Sequence, residues 1–171
     1  MIKSKELSIF RHLGAIIYDS LLILAIFMLI SFIFVGFNKG EPILGTAKLL
    51  LQLAYLIGWG VFYAYFVSQQ GQTLGMRAWK LFIAAENNKK PNFVIALKRW
   101  IFSLLFYYSA PLIILGLNLK TYLAAILLII MFLINYFSIK TNQQNRSIID
   151  LLSKTKLLQL DKNPYTKKTK L

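Results

Sequence analysis

Four apolar runs, each close to the length of a membrane crossing, constrain this chain more than any other feature. A helix rising about 1.5 Å per residue needs about 20 mostly apolar residues to cross roughly 30 Å of hydrocarbon. The runs lie at 13–37, 46–67, 99–117 and 121–139. The turn-prone Asn38-Lys39-Gly40-Glu41-Pro42 separates the first two, and Pro111 predicts a kink in the third. Only Asn118, Leu119 and Lys120 join the third to the fourth, so these two are expected to form an antiparallel helical hairpin. The first run follows a short basic segment, as a signal peptide would. It is too long for an h-region and lacks a clear A-x-A site, so it is expected to be retained. The expected fold class is an all-α membrane protein, a bundle of about four transmembrane helices.

Charge gives the bundle a direction. All but three of the 20 basic residues fall before the first run, between the second and third, or after the fourth; the exceptions are Lys39, Lys48 and Lys120. Basic loops stay inside, so both termini of this multi-pass membrane protein are expected in the cytoplasm. The net charge of +14 then reads as topology, with the lipid bilayer as the main partner and nucleic acid not expected. The chain has no cysteine and one histidine, His12, which leaves no set of side chains for a metal, and no cofactor is expected.

Between the second and third runs the chain is neither a span nor a featureless loop. Gly71 to Lys80 puts Leu74, Ala78 and Leu81 on one face, which predicts a short interfacial helix with Trp79 at the headgroups. Leu81 to Ala85 reads as a strand, Glu86 to Pro91 as a turn, and Asn92 as the N-cap of a helix leading into the third run. Asn145 to Ser153 reads as helical and Lys156 to Leu160 as a second strand. A lone strand is unstable, so the two are expected to pair beneath the membrane. Residues 1–161 form one domain, and the basic tail 162–171 is expected to be disordered.

Asp19 stands out as a carboxylate about six residues inside the first run, where burial in lipid costs on the order of 3 kcal/mol at most. It should not face lipid, and Arg11 and His12 are the nearest charged or titratable partners on its own helix. It reads either as an ion, proton or ligand site or as half of a buried pair that fixes helix packing. Asp150 follows Arg146 by four residues, which on a helix would place them on one face. Gly71 and Gly75 lie outside the spans, so their spacing suggests a tight turn or close backbone approach rather than helix dimerisation. Gln52, Ser103, Ser109, Asn135 and Ser138 read as interhelical hydrogen-bond glue, and Trp59, Tyr107 and Tyr108 as packing or belt residues. No nucleophile, base and orienting group occur together and no phosphate loop is present, so an enzyme is not expected.

Three separated pieces, Arg11-His12-Leu13-Gly14-Ala15-Ile16-Ile17-Tyr18-Asp19, Gly71-Gln72-Thr73-Leu74-Gly75-Met76-Arg77-Ala78-Trp79-Lys80-Leu81 and Asn145-Arg146-Ser147-Ile148-Ile149-Asp150, resemble the RDD family of bacterial membrane proteins. The resemblance runs from about Phe10 to Leu160 and is most specific in the middle piece. It implies that Asp19 and Asp150 are the family's two aspartates. The family's arginine often lies seven residues before the first; here that position is His12, with Arg11 one earlier. Relatives often carry histidine before the second aspartate, where this chain has Ile149. Transport of unidentified ligands has been proposed for the family, and some members look like cation/proton antiporters.

Two functions remain open at this point. One is a small ion, proton or ligand transporter in which Asp19 exchanges a proton or cation while Arg77, Arg146 and Asp150 gate or balance its charge. Its few spans would call for a homo-oligomer with the site at an interface. The other is a non-catalytic accessory or scaffold protein that binds a membrane partner through its basic cytoplasmic face. In either case a belt built from Gly71 to Ala85 and Asn145 to Leu160 is expected to bring Arg77, Arg146 and Asp150 to the inner end of the helix carrying Asp19.

Overall fold

The computed structural model describes residues 7–116, 121–142, 146–161 and 164–165, with the side chains of 108–121 excepted. In chain order the elements are α1 (Ile9–Phe37), α2 (Gly45–Gln70), α3 (Leu74–Ala78), β1 (Leu81–Ala85), α4 (Phe93–Gly116), α5 (Thr121–Thr141), α6 (Ile148–Ser153) and β2 (Thr155–Gln159). Each predicted apolar run is a helix, and each helix extends past the run at one end or both. The α4 helix continues through Pro111; the expected link at 118–120 and most of the basic tail lie outside the described residues.

Three of these helices, Ile9–Phe37, Gly45–Gln70 and Tyr122–Thr141, are long and apolar enough to cross a membrane. Their outer faces bear this out: Met28 is 66% exposed, Phe32 80% and Phe37 85%, a density of bare large apolar side chains that water would not tolerate. The long helices pack in a row, α1 on α2, α2 on α4 and α4 on α5, and the ends of the row meet where His12 of α1 lies 5.3 Å from Phe132 of α5. Small residues permit the close approaches within the row. Gly58 receives Ile26 and Ile30 of α1, and Gly60 receives the Trp100 ring.

The tight core is at one end of the row, where a cap of short elements closes over the helix ends. Ala15, Ala64, Val67, Leu81, Ile83, Ala96 and Leu157 form a buried cluster that ties α1, α2 and α4 to the strands. The two strands pair as the sequence predicts, β2 starting and ending one residue earlier than expected, and they run antiparallel, with Leu81 opposite Gln159 and Ala85 opposite Thr155, while Leu160 and Lys154 extend the ladder to Lys80 and Glu86. Residues of β1 are buried on both faces, which explains its unbroken apolar run.

Local signals set the boundaries. Gly71 ends α2 in the left-handed region (φ 71°), and a Cβ there would meet the Tyr165 ring at 2.3 Å. Asn92 caps α4 by accepting from the Ile95 N–H at 2.8 Å. Ser147 and Asp150 form a reciprocal capping box at the start of α6. The expected interfacial helix is α3, shorter than its sequence pattern, and Trp79 at its end lies across Gly14 of α1.

Candidate functional site

The carboxylate of Asp19 does not pair with Arg11 or His12. It projects from α1 onto the start of α3, where Thr73 Oγ1 donates to Oδ2 at 2.5 Å and the Gly75 N–H donates to Oδ1 at 2.8 Å. Thr73 can direct its proton there because its oxygen already accepts from the Met76 N–H at 3.1 Å, as the N-cap of α3. Asp19 thus satisfies orphan donors at a helix start from a neighbouring helix. Glycine at 75 is a steric requirement: a Cβ would lie 2.4 Å from the Ala15 carbonyl oxygen and 2.8 Å from Asp19 Cγ. The Gly71-Gln72-Thr73-Leu74-Gly75 motif therefore ends α2, starts α3 and holds Asp19. Gln72, between them, is buried, with its Oε1 lacking a partner among the described residues.

Asp150 occupies a different place and has a different partner from the one its spacing suggests. It is fully buried and forms an ion pair with Arg99 of α4, and Arg99 Nη1 also donates to Thr155 Oγ1. The Thr155 and Ser153 hydroxyls share a hydrogen bond at 2.7 Å, Ser153 donates to the Ile149 carbonyl at 2.6 Å, and Thr155 Oγ1 lies 3.4 Å from Asp150 Oδ1. The second Asp150 oxygen accepts from the Ser147 N–H at 3.1 Å and the Leu157 N–H at 3.4 Å. The pair therefore joins α4, α6 and β2 with nearly every donor and acceptor used. The Tyr63 hydroxyl of α2 lies against the guanidinium, and His12 of α1 sits close enough to feel both charges.

The remaining charged candidates do not converge on Asp19. Arg146 pairs with the exposed Glu86 at 3.1 Å, a surface contact worth at most about 1 kcal/mol. Arg77 is exposed in the last turn of α3, and Arg11 lies in the first turn of α1. The two aspartates have different partners, and Tyr63 lies near both, against Arg99 and within reach of the charges of Asp19 and Asp150. Arg99, the partner of the second aspartate, carries no sign of its role in the sequence beyond being the last basic residue before an apolar run. The polar residues divide as well. Asn135 is glue, donating to the Tyr107 hydroxyl at 3.0 Å and accepting from the Ile149 N–H at 3.4 Å. Ser103 instead bonds the Arg99 carbonyl within its own helix, and the Ser109 side chain lies outside the described residues.

Next to Asp19 the helices form a half-open cavity of about 290 Å³. Trp59, Tyr63, Trp100, Tyr107 and Phe132 contribute much of its wall, with Thr73 beside the carboxylate. Among the described residues that line it, Asp19 carries the only formal charge. Trp59 and Tyr107, read from sequence as packing or belt residues, are thus wall residues of a cavity. Its walls come from α1, α2, α4 and α5, with Thr73 and Met76.

Long lipid-type helices, a buried charge pair under a two-stranded cap, and a carboxylate bordering a half-open cavity define a helical protein of membrane type. The chain belongs to the RDD family, whose family model matches residues 8–154. Comparison with curated proteins and with solved structures finds no match.

Proposed function

We propose that this RDD-family chain is a small, non-enzymatic transport protein of the bacterial cytoplasmic membrane in which Asp19 binds and releases a proton or a small cationic ligand. The observation that carries this reading is the difference between the two aspartates. Asp150 is matched by Arg99 and buried, which suits architecture. Asp19 borders a cavity, and among the described residues it has hydrogen-bond donors but no cation beside it. A carboxylate kept in a membrane without a counter-charge is costly, and such residues generally mark ion or ligand pathways. A homo-oligomer is part of the proposal, because a four-span protein is small for a carrier.

In this reading α1, α2, α4 and α5 all cross the membrane and both termini are cytoplasmic, as the distribution of basic residues favours. The absence of native cysteine makes this straightforward to test. In intact cells a membrane-impermeant maleimide should label Glu41→Cys and leave Lys89→Cys unlabelled until the cells are permeabilised. Labelling of Lys89→Cys in intact cells would reverse the orientation.

The function itself is tested in liposomes. Reconstituted protein should carry proton or cation flux, and Asp19→Asn should abolish it while the variant remains folded. Flux unaffected by the substitution removes Asp19 from the mechanism. A wild type that carries none favours the accessory reading, in which Asp19 serves only to dock α3 on α1.

A further inference from the structure

From the chemistry of the cavity walls we infer that the Asp19 cavity takes a hydrophobic organic ammonium ion rather than a bare inorganic cation. This deepens the proposal above and rests on Asp19 being a working group. Aromatic residues of α2, α4 and α5 share the lining with aliphatic side chains and Met76, and Asp19 of α1 carries the one formal charge among the described lining residues. Ring faces attract a cation whose charge is spread over apolar substituents, most strongly where water is excluded. An alkali metal ion needs about six or more oxygen ligands to replace its hydration shell, in the manner of other hard cations. The surface of this cavity is instead mostly apolar, and two of its hydroxyls, Ser20 and Ser103, are held against carbonyls of their own helices at 2.8 Å.

Charge bookkeeping agrees. The nearest buried cation, Arg99, is neutralised by Asp150, with Tyr63 lying against the pair, so the field in the cavity is that of Asp19. The size is also suitable, since cavities of roughly 300 Å³ upwards hold compact organic ligands. At the capped end α1 and α5 meet, with the His12 ring 5.3 Å from Phe132 and the Tyr136 hydroxyl donating to the Leu7 carbonyl at 3.0 Å. Ile23 of α1 and Leu128 of α5, which also line the cavity, are both apolar, as suits a lipid-soluble ligand.

The test separates charge from shape. Benzyltrimethylammonium and neopentylbenzene differ only by nitrogen against carbon at the branching atom, so they share a shape and differ by one charge. Binding of each to the full-length protein in a neutral detergent is followed by tryptophan emission, with concentrations corrected for partition into micelles. Two of the three tryptophans, Trp59 and Trp100, line the cavity and serve as reporters. The cation should bind at least about tenfold more tightly than its neutral twin, the scale expected of a desolvated cation–ring contact with a carboxylate nearby. In Asp19→Asn that preference should fall to about twofold or less. Equal affinity for the two probes in the wild type overturns the inference, and so does a preference that survives Asp19→Asn. Should Asp19→Asn not fold, Trp59→Leu keeps the carboxylate and should weaken the cation more than the neutral probe; an equal loss for both overturns the inference. The outcome is distinct from that of the flux experiment. Charge-selective binding in a protein that carries no flux upholds this site while transport falls. Proton or alkali-cation flux without such binding removes this ligand class and leaves transport standing.

Discussion

Replacing Arg99 with methionine should lower stability by about 3–5 kcal/mol, the usual consequence of stripping one partner from a buried ion pair. The residue left behind, Asp150, has no exposed surface, and its remaining partners are the backbone N–H groups of Ser147 and Leu157 and the Thr155 hydroxyl at 3.4 Å. Those donors do not balance a full charge taken out of water. The mirror variant, Asp150→Ala, should behave similarly, because it leaves the guanidinium uncompensated and also removes half of the capping box of α6. Combining Arg99→Met with Asp150→Leu should recover a large part of the loss, since a well-packed apolar pair is often as stable as the ion pair it replaces. Thermal unfolding in detergent, followed by size-exclusion chromatography, would read all four proteins. A single variant as stable as the wild type would show that the pair does not hold the cap to the helices.

The second large effect is expected at Gly75. In Gly75→Ala the new methyl would fall 2.4 Å from a backbone oxygen of α1, an atom that cannot move aside as the tip of a flexible side chain could. Overpacking of this kind costs about 1–3 kcal/mol. If α3 retreats to relieve it, the contacts from Thr73 and Gly75 to Asp19 are lost, at about 1 kcal/mol more. Gly36→Ala is the matched control: nothing lies within 4 Å of the added methyl, and alanine favours the helix by about 0.5–1 kcal/mol. Equal stability of the two variants would mean that α3 does not dock on α1 through this glycine.

Much of this architecture is legible in the residues, and the failures have specific causes. Spans are legible because lipid imposes a length and a composition, and the strand pair is legible because two short apolar segments in a basic region have few other ways to satisfy their backbones. The expected pairing of Arg146 with Asp150 fails for a geometric reason. Their four-residue spacing would bring them together only on a continuous helix, but α6 begins at Ile148 with Ser147 as its cap. Arg146 is therefore off the helix altogether. Ser147-Ile148-Ile149-Asp150 itself held the signal, as a hydroxyl residue followed three positions later by an acid marks a helix start. The partner of Asp19 was hidden differently. Arg11 and His12 were the natural candidates by charge, whereas the carboxylate is satisfied by a hydroxyl and a backbone amide that carry no charge. The cavity could not be read at all. It is a space left between bulky rings on separate helices, and no spacing within one helix encodes it.

The pairing of Arg99 with Asp150, 51 residues apart, also sets an order of events during synthesis. All of the long helices precede Asp150 in the chain, so they can form while the guanidinium is still unmatched and β1 still lacks its neighbour strand. Both deficits are made good together, by one stretch of about a dozen residues that emerges after the helices and carries the acid, the threonine and the strand. A chain cut short before that stretch keeps its membrane helices but presents an unpaired strand edge and a bare buried charge, the features by which quality control tells an incomplete protein from a finished one.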